Sequence, residues 1–229
     1  MGKVNWKIIF EKKNHQYIKK SYELAKQYSK LKNKNLPYKL AKIVYNSKIR
    51  SDISSQNLFY KNITRTIDKK LKIKKSSPIS IADYGSGNGF IILYLKRKYN
   101  VKKIYSFEIA KSWMNIQKLL IKKIKFKLVQ TSTKKIKLKN NNVDFFISSS
   151  TFQYLKNLNQ AKYLIKEFIR ASTDGILILD ILDYKTKDRH LKNKFLLSKL
   201  SKSEYKKKYK NLKFLFFKRK FFNFLKNEY

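Results

Sequence analysis

At 229 residues the chain is long enough for one domain with a sizeable core plus an appendage, and the absence of cysteine excludes disulfides, thiolate metal sites and a cysteine nucleophile. Lys+Arg 56 against Asp+Glu 14 sets a formal charge of +42, but the excess is nearly all lysine and accompanies abundant Asn, Ile, Tyr and Phe, as an A/T-rich codon bias produces. Arginine, whose planar fork serves specific readers of phosphate and base edges, is scarce, so the charge is a weak argument for nucleic acid.

From residue 1 to about 77 the pattern is helical and lacks alternating strand signals. Apolar and aromatic residues recur at steps of three and four over Ser21 to Leu31 and over Pro37 to Tyr45, with Pro37 suited to a helix start. A further helix begins near Ser54 or Ser55 and ends before Ser76-Ser77-Pro78. The opening MGKVNW has no apolar signal-peptide core, Trp6 stands where a myristoylation signal needs Ser or Thr, and no run approaches the roughly 20 apolar residues of a membrane span. A soluble cytoplasmic protein is the expectation. His15 and His190 are the only histidines and stand apart, so no metal is expected.

The next stretch, ISIADYGSGNG from Ile79 to Gly89, holds three of the chain's five glycines, Gly85, Gly87 and Gly89. An apolar, β-branched run precedes them and a run with helical spacing, FIILYLKRKY, follows. A Gly-rich strand-to-helix turn lets backbone amides approach a ligand without Cβ interference and aims a helix N-terminus at it. Strand one therefore ends at Asp83, and a helix is predicted from about Asn88 to Tyr99. A dinucleotide fingerprint would need glycine at position 90, which is Phe90. Strand two, KIYSF, ends in Glu108, an acid about 20 residues beyond the glycines, where nucleotide sites place the carboxylate that accepts both ribose hydroxyls.

The order Asp83-Tyr84-Gly85-Ser86-Gly87-Asn88-Gly89 resembles the first motif of class I S-adenosylmethionine-dependent methyltransferases, and the resemblance continues to about Asp183. It implies S-adenosyl-L-methionine as cofactor, held by Asp83, Gly85, Ser86, Gly87, Gly89 and Glu108. It also implies that the N-terminal helices fold over the cofactor, with Tyr17, Tyr22, Tyr38 and Tyr60 as candidates to line an acceptor pocket. A helix over Ser112 to Ile124 and a third strand, FKLVQ, come next. Where the family usually carries an acid toward the adenine, the alignment places Ser132, with Thr133 beside it.

Strand four is VDFFIS, with Asp144 at the end away from the ligand, read as structural. Its far end, with Ser149, falls beside the transferable methyl group in resembling enzymes. The following SSSTFQYL resembles a segment of bacterial methyltransferases from surface-polysaccharide functions, and Gln153 and Tyr154 are candidates to orient an acceptor. A helix from about Leu158 to Ala171 buries Ala161, Leu164, Ile165, Phe168 and Ile169 on one face. Asp174-Gly175 is predicted to turn into strand five, ILILDIL, which brings Asp180 and Asp183 near the ligand side as candidate bases.

The expectation is a doubly wound, mostly parallel Rossmann-like α/β protein. It comprises an N-terminal helical cap (1–77), a methyltransferase core (78–184) and a basic helical segment (185–229), with the family's terminal β-hairpin missing. The function implied is methyl transfer to a small-molecule acceptor, a sugar or lipid-linked sugar. Two alternatives stay open: an RNA methyltransferase, and a non-catalytic basic binding module. The Phe/Lys-rich end, LKFLFFKRKFFNFLKNEY, has peripheral contact with an anionic membrane as its alternative to ordinary packing. No motif encodes the oligomeric state.

Overall fold

A computed structural model describes residues 22–23, 25–26, 65–68, 76–120, 126–130, 136–189, 192, 201, 203 and 215–218. Five strands and three longer helices alternate through the middle of the chain: β1 (Pro78–Tyr84), α1 (Phe90–Lys98), β2 (Asn100–Glu108), α2 (Lys111–Leu120), β3 (Phe126–Gln130), β4 (Val143–Ser149), α3 (Leu158–Ala171) and β5 (Ser172–Leu179). The strands form one sheet in the order β3-β2-β1-β4-β5, every pair parallel. After β3 the chain returns to the centre and continues on the other side of β1. The order thus reverses between β1 and β4, which is where doubly wound sheets open a ligand crevice at their strand C-termini.

The pleat explains why such apolar strands are needed. Successive side chains alternate faces, and both faces are covered. Ile79 and Ile81 of β1, Ile104 of β2, and Phe145 and Ile147 of β4 pack with Ile92 and Leu95 of α1 and Trp113 and Ile116 of α2. Ala82, Tyr84, Tyr105, Phe107 and Phe146 take the other face, against Leu164, Ile165 and Phe168 of α3. There Phe146 and Phe168 stack at 4.5 Å between centroids, 10° from parallel. The same alternation turns Asp83, Ser106 and Glu108 toward the α1/α2 side, in step with Ile81 and Ile104.

Helix and strand ends follow local chemistry. Asn157 caps α3 by accepting from the Gln160 amide at 2.9 Å, while the Gln160 side chain reaches back to accept from Lys156 N at 2.7 Å. Asp144, in accord with its structural reading, accepts from both the amide and the hydroxyl of Ser80, and its own amide donates to Ser80 Oγ at 3.1 Å. This pair binds β4 to β1 at the end remote from the glycines.

The predicted turn at Asp174-Gly175 is corrected. Ser172, already extended at φ −108° and ψ 150°, closes α3 and opens β5, and Asp174 and Gly175 lie within the strand. Val143 pairs with Ser172 and Phe145 with Gly175, so β5 carries an extra residue there, a bulge that Gly175 accommodates with φ 151°. Asp180 falls just past β5, and Asp183 caps a short 3₁₀ turn by accepting from Lys185 N at 2.9 Å.

Most of the expected cap and most of the basic segment lie outside the described residues, including Tyr17, Tyr38, Tyr60, His15 and His190. Of the cap, residues 65–68 are helical. Ala25 and Ile67 are fully buried in the α1/α2 layer, and Asp68 accepts from Tyr99 Oη at 2.6 Å, so this part of the segment packs onto the core. Tyr22 is exposed. Residues 215–217 run beside the chain beyond β5. Phe217 N donates to Leu182 O at 2.8 Å, Tyr184 N donates to Phe217 O at 2.9 Å, and the Phe217 ring is buried against Phe152. Among the described residues, no strand of the sheet lies outside β5.

Candidate cofactor site

The five residues between β1 and α1 form the loop that the sequence singles out. Gly85 N and Ser86 N both donate to Phe107 O, at 2.8 and 3.1 Å, tying the loop to the end of β2. Gly85, Gly87 and Gly89 all have positive φ, at 75°, 53° and 79°. Their reasons differ. A Cβ on Gly85 would stand 2.0 Å from Thr151 Oγ1 and 2.8 Å from Thr151 Cβ, so the glycine lets the segment after β4 cross the loop. Apart from Gly87 itself and its two chain neighbours, no described atom lies within 4 Å of where a Cβ on Gly87 would stand. This is the open side of the loop.

Glu108, at the C-terminus of β2, faces that loop. Its Oε2 accepts from Gly87 N at 2.8 Å and its Oε1 from Ala110 N at 2.8 Å. Burial raises its pKa above the usual carboxylate range, while the amides of Ala110, Gly87 and Ile109 pull it back. Asp83, one strand over and 1% exposed, is pushed up to about 8 by burial and then by the charge of Glu108. Its Oδ2 has no hydrogen-bond partner among the described residues. Two neighbouring acids in a +42 protein, one holding an unsatisfied oxygen, suit a cationic ligand.

Ser86 faces inward. Its hydroxyl is bonded to Ser106 Oγ at 2.6 Å and accepts from Gln117 Nε2 at 2.8 Å, so contact between Ser86 and a ligand falls to its backbone. Sequence reasoning missed Ser106 and Gln117, both fully buried. The only local signals were a hydroxyl in an otherwise apolar strand and an amide on the apolar face of a helix. Ser132 and Thr133 lie outside the described residues.

A second group of polar residues gathers at the ends of β4 and β5. Ser149 closes β4, and its carbonyl accepts from Thr151 Oγ1 at 3.0 Å. Ser150 and Asp180 both have left-handed backbone, φ 55° and 56°, and Ser150 Oγ donates to Asp180 Oδ2. Ser150 N also donates to Leu179 O at 3.1 Å, which holds the two strand ends together. Gln153 is buried, and its carbonyl accepts from Leu215 N at 2.8 Å. Tyr154 is half-buried in the same 3₁₀ turn.

A parallel doubly wound sheet, with a Gly-rich β1–α1 turn and an acid at the end of β2, defines a domain that binds a nucleoside cofactor at its switch point. Residues 82–179 match the sequence profile of the family described as "Methyltransferase domain". That match makes S-adenosylmethionine the cofactor against which the site is judged.

Solved structures with a similar chain path include a protein of Methanococcus maripaludis assigned as an S-adenosyl-L-methionine-dependent methyltransferase. It is 16% identical, with 77% of this chain and 76% of that chain covered and a TM-score of 0.49. A SAM-dependent methyltransferase of Aquifex aeolicus is 20% identical, with 54% and 69% covered and a TM-score of 0.37. No curated protein matches the sequence. Among the described residues, no helix is long and apolar enough to cross a membrane.

The site fits that cofactor. Glu108 is the acid that would accept from the ribose, Gly87 leaves space beside the loop, and Asp83 holds a buried carboxylate oxygen with no hydrogen-bond partner among the described residues. When bound, S-adenosylmethionine supplies a methyl group activated on a sulfonium.

Proposed function

We propose that the chain methylates a hydroxyl of a small-molecule acceptor, a sugar or lipid-linked sugar, with Asp180 as the base. The observation that carries this reading is the Ser150–Asp180 pair, two non-glycine residues in left-handed backbone joined by a hydrogen bond at the ends of adjacent strands. Such backbone costs about 1–3 kcal/mol per residue and concentrates where function demands a particular side-chain direction. A sulfonium methyl needs little activation, so the protein has three tasks: align the acceptor oxygen with the methyl, exclude water and take the proton.

Bound S-adenosylmethionine would supply a methyl group whose transfer to the acceptor oxygen leaves the carbon–sulfur electron pair on sulfur. The hydroxyl proton passes to an Asp180 carboxylate oxygen, while Ser150 holds the other in place. The approach of acceptor and cofactor from opposite sides also accounts for the two polar clusters, one on the loop after β1 and one beyond β4 and β5.

Calorimetric titration with S-adenosylmethionine and S-adenosylhomocysteine, with NAD as control, tests the cofactor site. Binding of the first two alone is expected, and no binding at millimolar ligand overturns the assignment. Transfer of labelled methyl to saccharide and lipid-linked saccharide pools is then expected. Transfer only to RNA, or to nothing, would replace the acceptor reading with one of its rivals.

A further inference from the structure

We propose that Gln117 on α2 is the positioning residue of the cofactor loop: through a closed ring of hydrogen bonds with Ser106 and Ser86 it holds the Gly87 carbonyl inward. The open face of the loop is thereby formed before the cofactor arrives. The proposal rests on the reading of residues 85–89 as the cofactor loop.

Four protons and four acceptors close the ring. Ser106 Oγ donates to Gln117 Oε1 at 2.5 Å, and Gln117 Nε2 donates both to Gly87 O at 2.5 Å and to Ser86 Oγ at 2.8 Å. The single proton of Ser106 cannot serve both Gln117 Oε1 and Ser86 Oγ; with it on Gln117, the 2.6 Å contact between the two hydroxyls takes the proton of Ser86, whose other acceptor, Phe107 O, stands farther off at 3.4 Å. The amide orientation of Gln117 follows from the same count. A flipped amide would set its oxygen 2.5 Å from the Gly87 carbonyl, two acceptors with no proton between them.

Because Gln117 and Ser106 are fully buried, water offers no alternative partner, and a low-dielectric network that is fully satisfied resists rearrangement. Gly87 is thus gripped from both sides, its N–H by Glu108 at the end of β2 and its C=O by Gln117 from α2. These anchors lie 21 and 30 residues away in sequence, so the loop keeps its shape only when β2 and α2 are docked together. Glu108 faces the ligand. Gln117 is sealed from it and acts through the loop.

The test pairs S-adenosylhomocysteine affinity with peptide-level hydrogen exchange on the full chain, comparing wild type, Gln117→Leu and Ser106→Ala. Gln117→Leu keeps the volume and removes every hydrogen bond. Affinity is expected to fall about tenfold or more, and amides over residues 85–89 are expected to exchange faster, while β4 and β5 exchange as in wild type.

Ser106→Ala, the milder change, leaves the Gln117–Gly87 bond and should lose less on both readouts, so the inference stays testable if Gln117→Leu does not fold. Faster exchange spread over the whole sheet would assign Gln117 a purely structural role and overturn the proposal. Unchanged affinity with unchanged loop exchange would overturn it too. If wild type itself fails to bind, the cofactor reading fails instead, and that outcome is separate.

Discussion

The amide of Gly87 donates to Glu108 Oε2 at 2.8 Å, so the apex of the glycine loop and the acid at the end of β2 form one unit. Glu108 therefore holds the loop, and in the proposed cofactor site it would also accept from the ribose. Glu108→Ala should weaken S-adenosylmethionine binding by about 1–3 kcal/mol, the range for removing hydrogen bonds to a charged group. Glu108→Gln, which retains one acceptor oxygen, should lose less. Calorimetry checks both, and equal losses would show that charge alone matters.

Gly85 and Gly87 should respond to substitution in different ways. Gly85→Ala forces a Cβ to within 2.0 Å of Thr151 Oγ1, so the melting temperature should drop, and Thr151→Gly in the same chain should recover much of it. Thr151→Ala should recover less, because Thr151 Cβ itself stands 2.8 Å from the added atom. At Gly87 a larger side chain meets open space, and the left-handed backbone costs only about 1–2 kcal/mol. Gly87→Leu should fold and lose S-adenosylhomocysteine binding.

Cofactor binding is expected to depend on pH through Asp83. With its pKa pushed up to about 8, mainly by burial, the free protein holds a proton there at neutral pH. A cationic ligand favours the ionised form, so binding below pH 8 must release that proton. S-Adenosylmethionine affinity should rise relative to that of S-adenosylhomocysteine as pH climbs toward 8. Both ligands carry the same amino group, so their ratio isolates the sulfonium. Titrations in buffers of differing ionisation enthalpy count the proton.

Stability of the free protein runs the other way. The folded pKa of Asp83 lies above the ordinary 3.8, so the contribution is full below about pH 4 and is lost as pH rises toward 8. Asp83→Asn should be more stable than wild type at pH 8, with the advantage shrinking toward pH 4, and denaturant titrations at the two values check the sign.

Asp180→Asn and Ser150→Ala address the acceptor. Asp180→Asn should lower kcat by about two orders of magnitude or more, the usual scale for a general base, with cofactor affinity unchanged. Ser150→Ala should cost less, since the carboxylate remains. A control lies at the other end of the sheet, where Asp144→Ala should destabilise by about 1–3 kcal/mol through the unpaired Ser80 hydroxyl and amide, without touching S-adenosylhomocysteine affinity.

The amino-acid sequence by itself determined the order of elements from β1 to β5, the position of the glycine loop and the acid that faces it. Those features are local. A run such as VDFFIS reads as a strand buried on both faces, α3 spans Leu158–Ala171 as its 3.6-residue period requires, and a cluster of glycines between strand and helix has few other uses. Asp174-Gly175 misled because a dipeptide that makes turns also suits a bulge, and only the pairing of Val143 and Phe145 across the sheet distinguishes the two.

The tertiary structure alone decided what each described residue of the candidate site faces. It separated the packing duty of Gly85 from the open approach at Gly87, turned the Ser86 hydroxyl inward, and brought Ser150 to Asp180. It also closed the ring through Ser106 and Gln117. Such contacts join residues 11 to 66 apart, and their energies come from burial and proton accounting after the strands have paired, which no local period records.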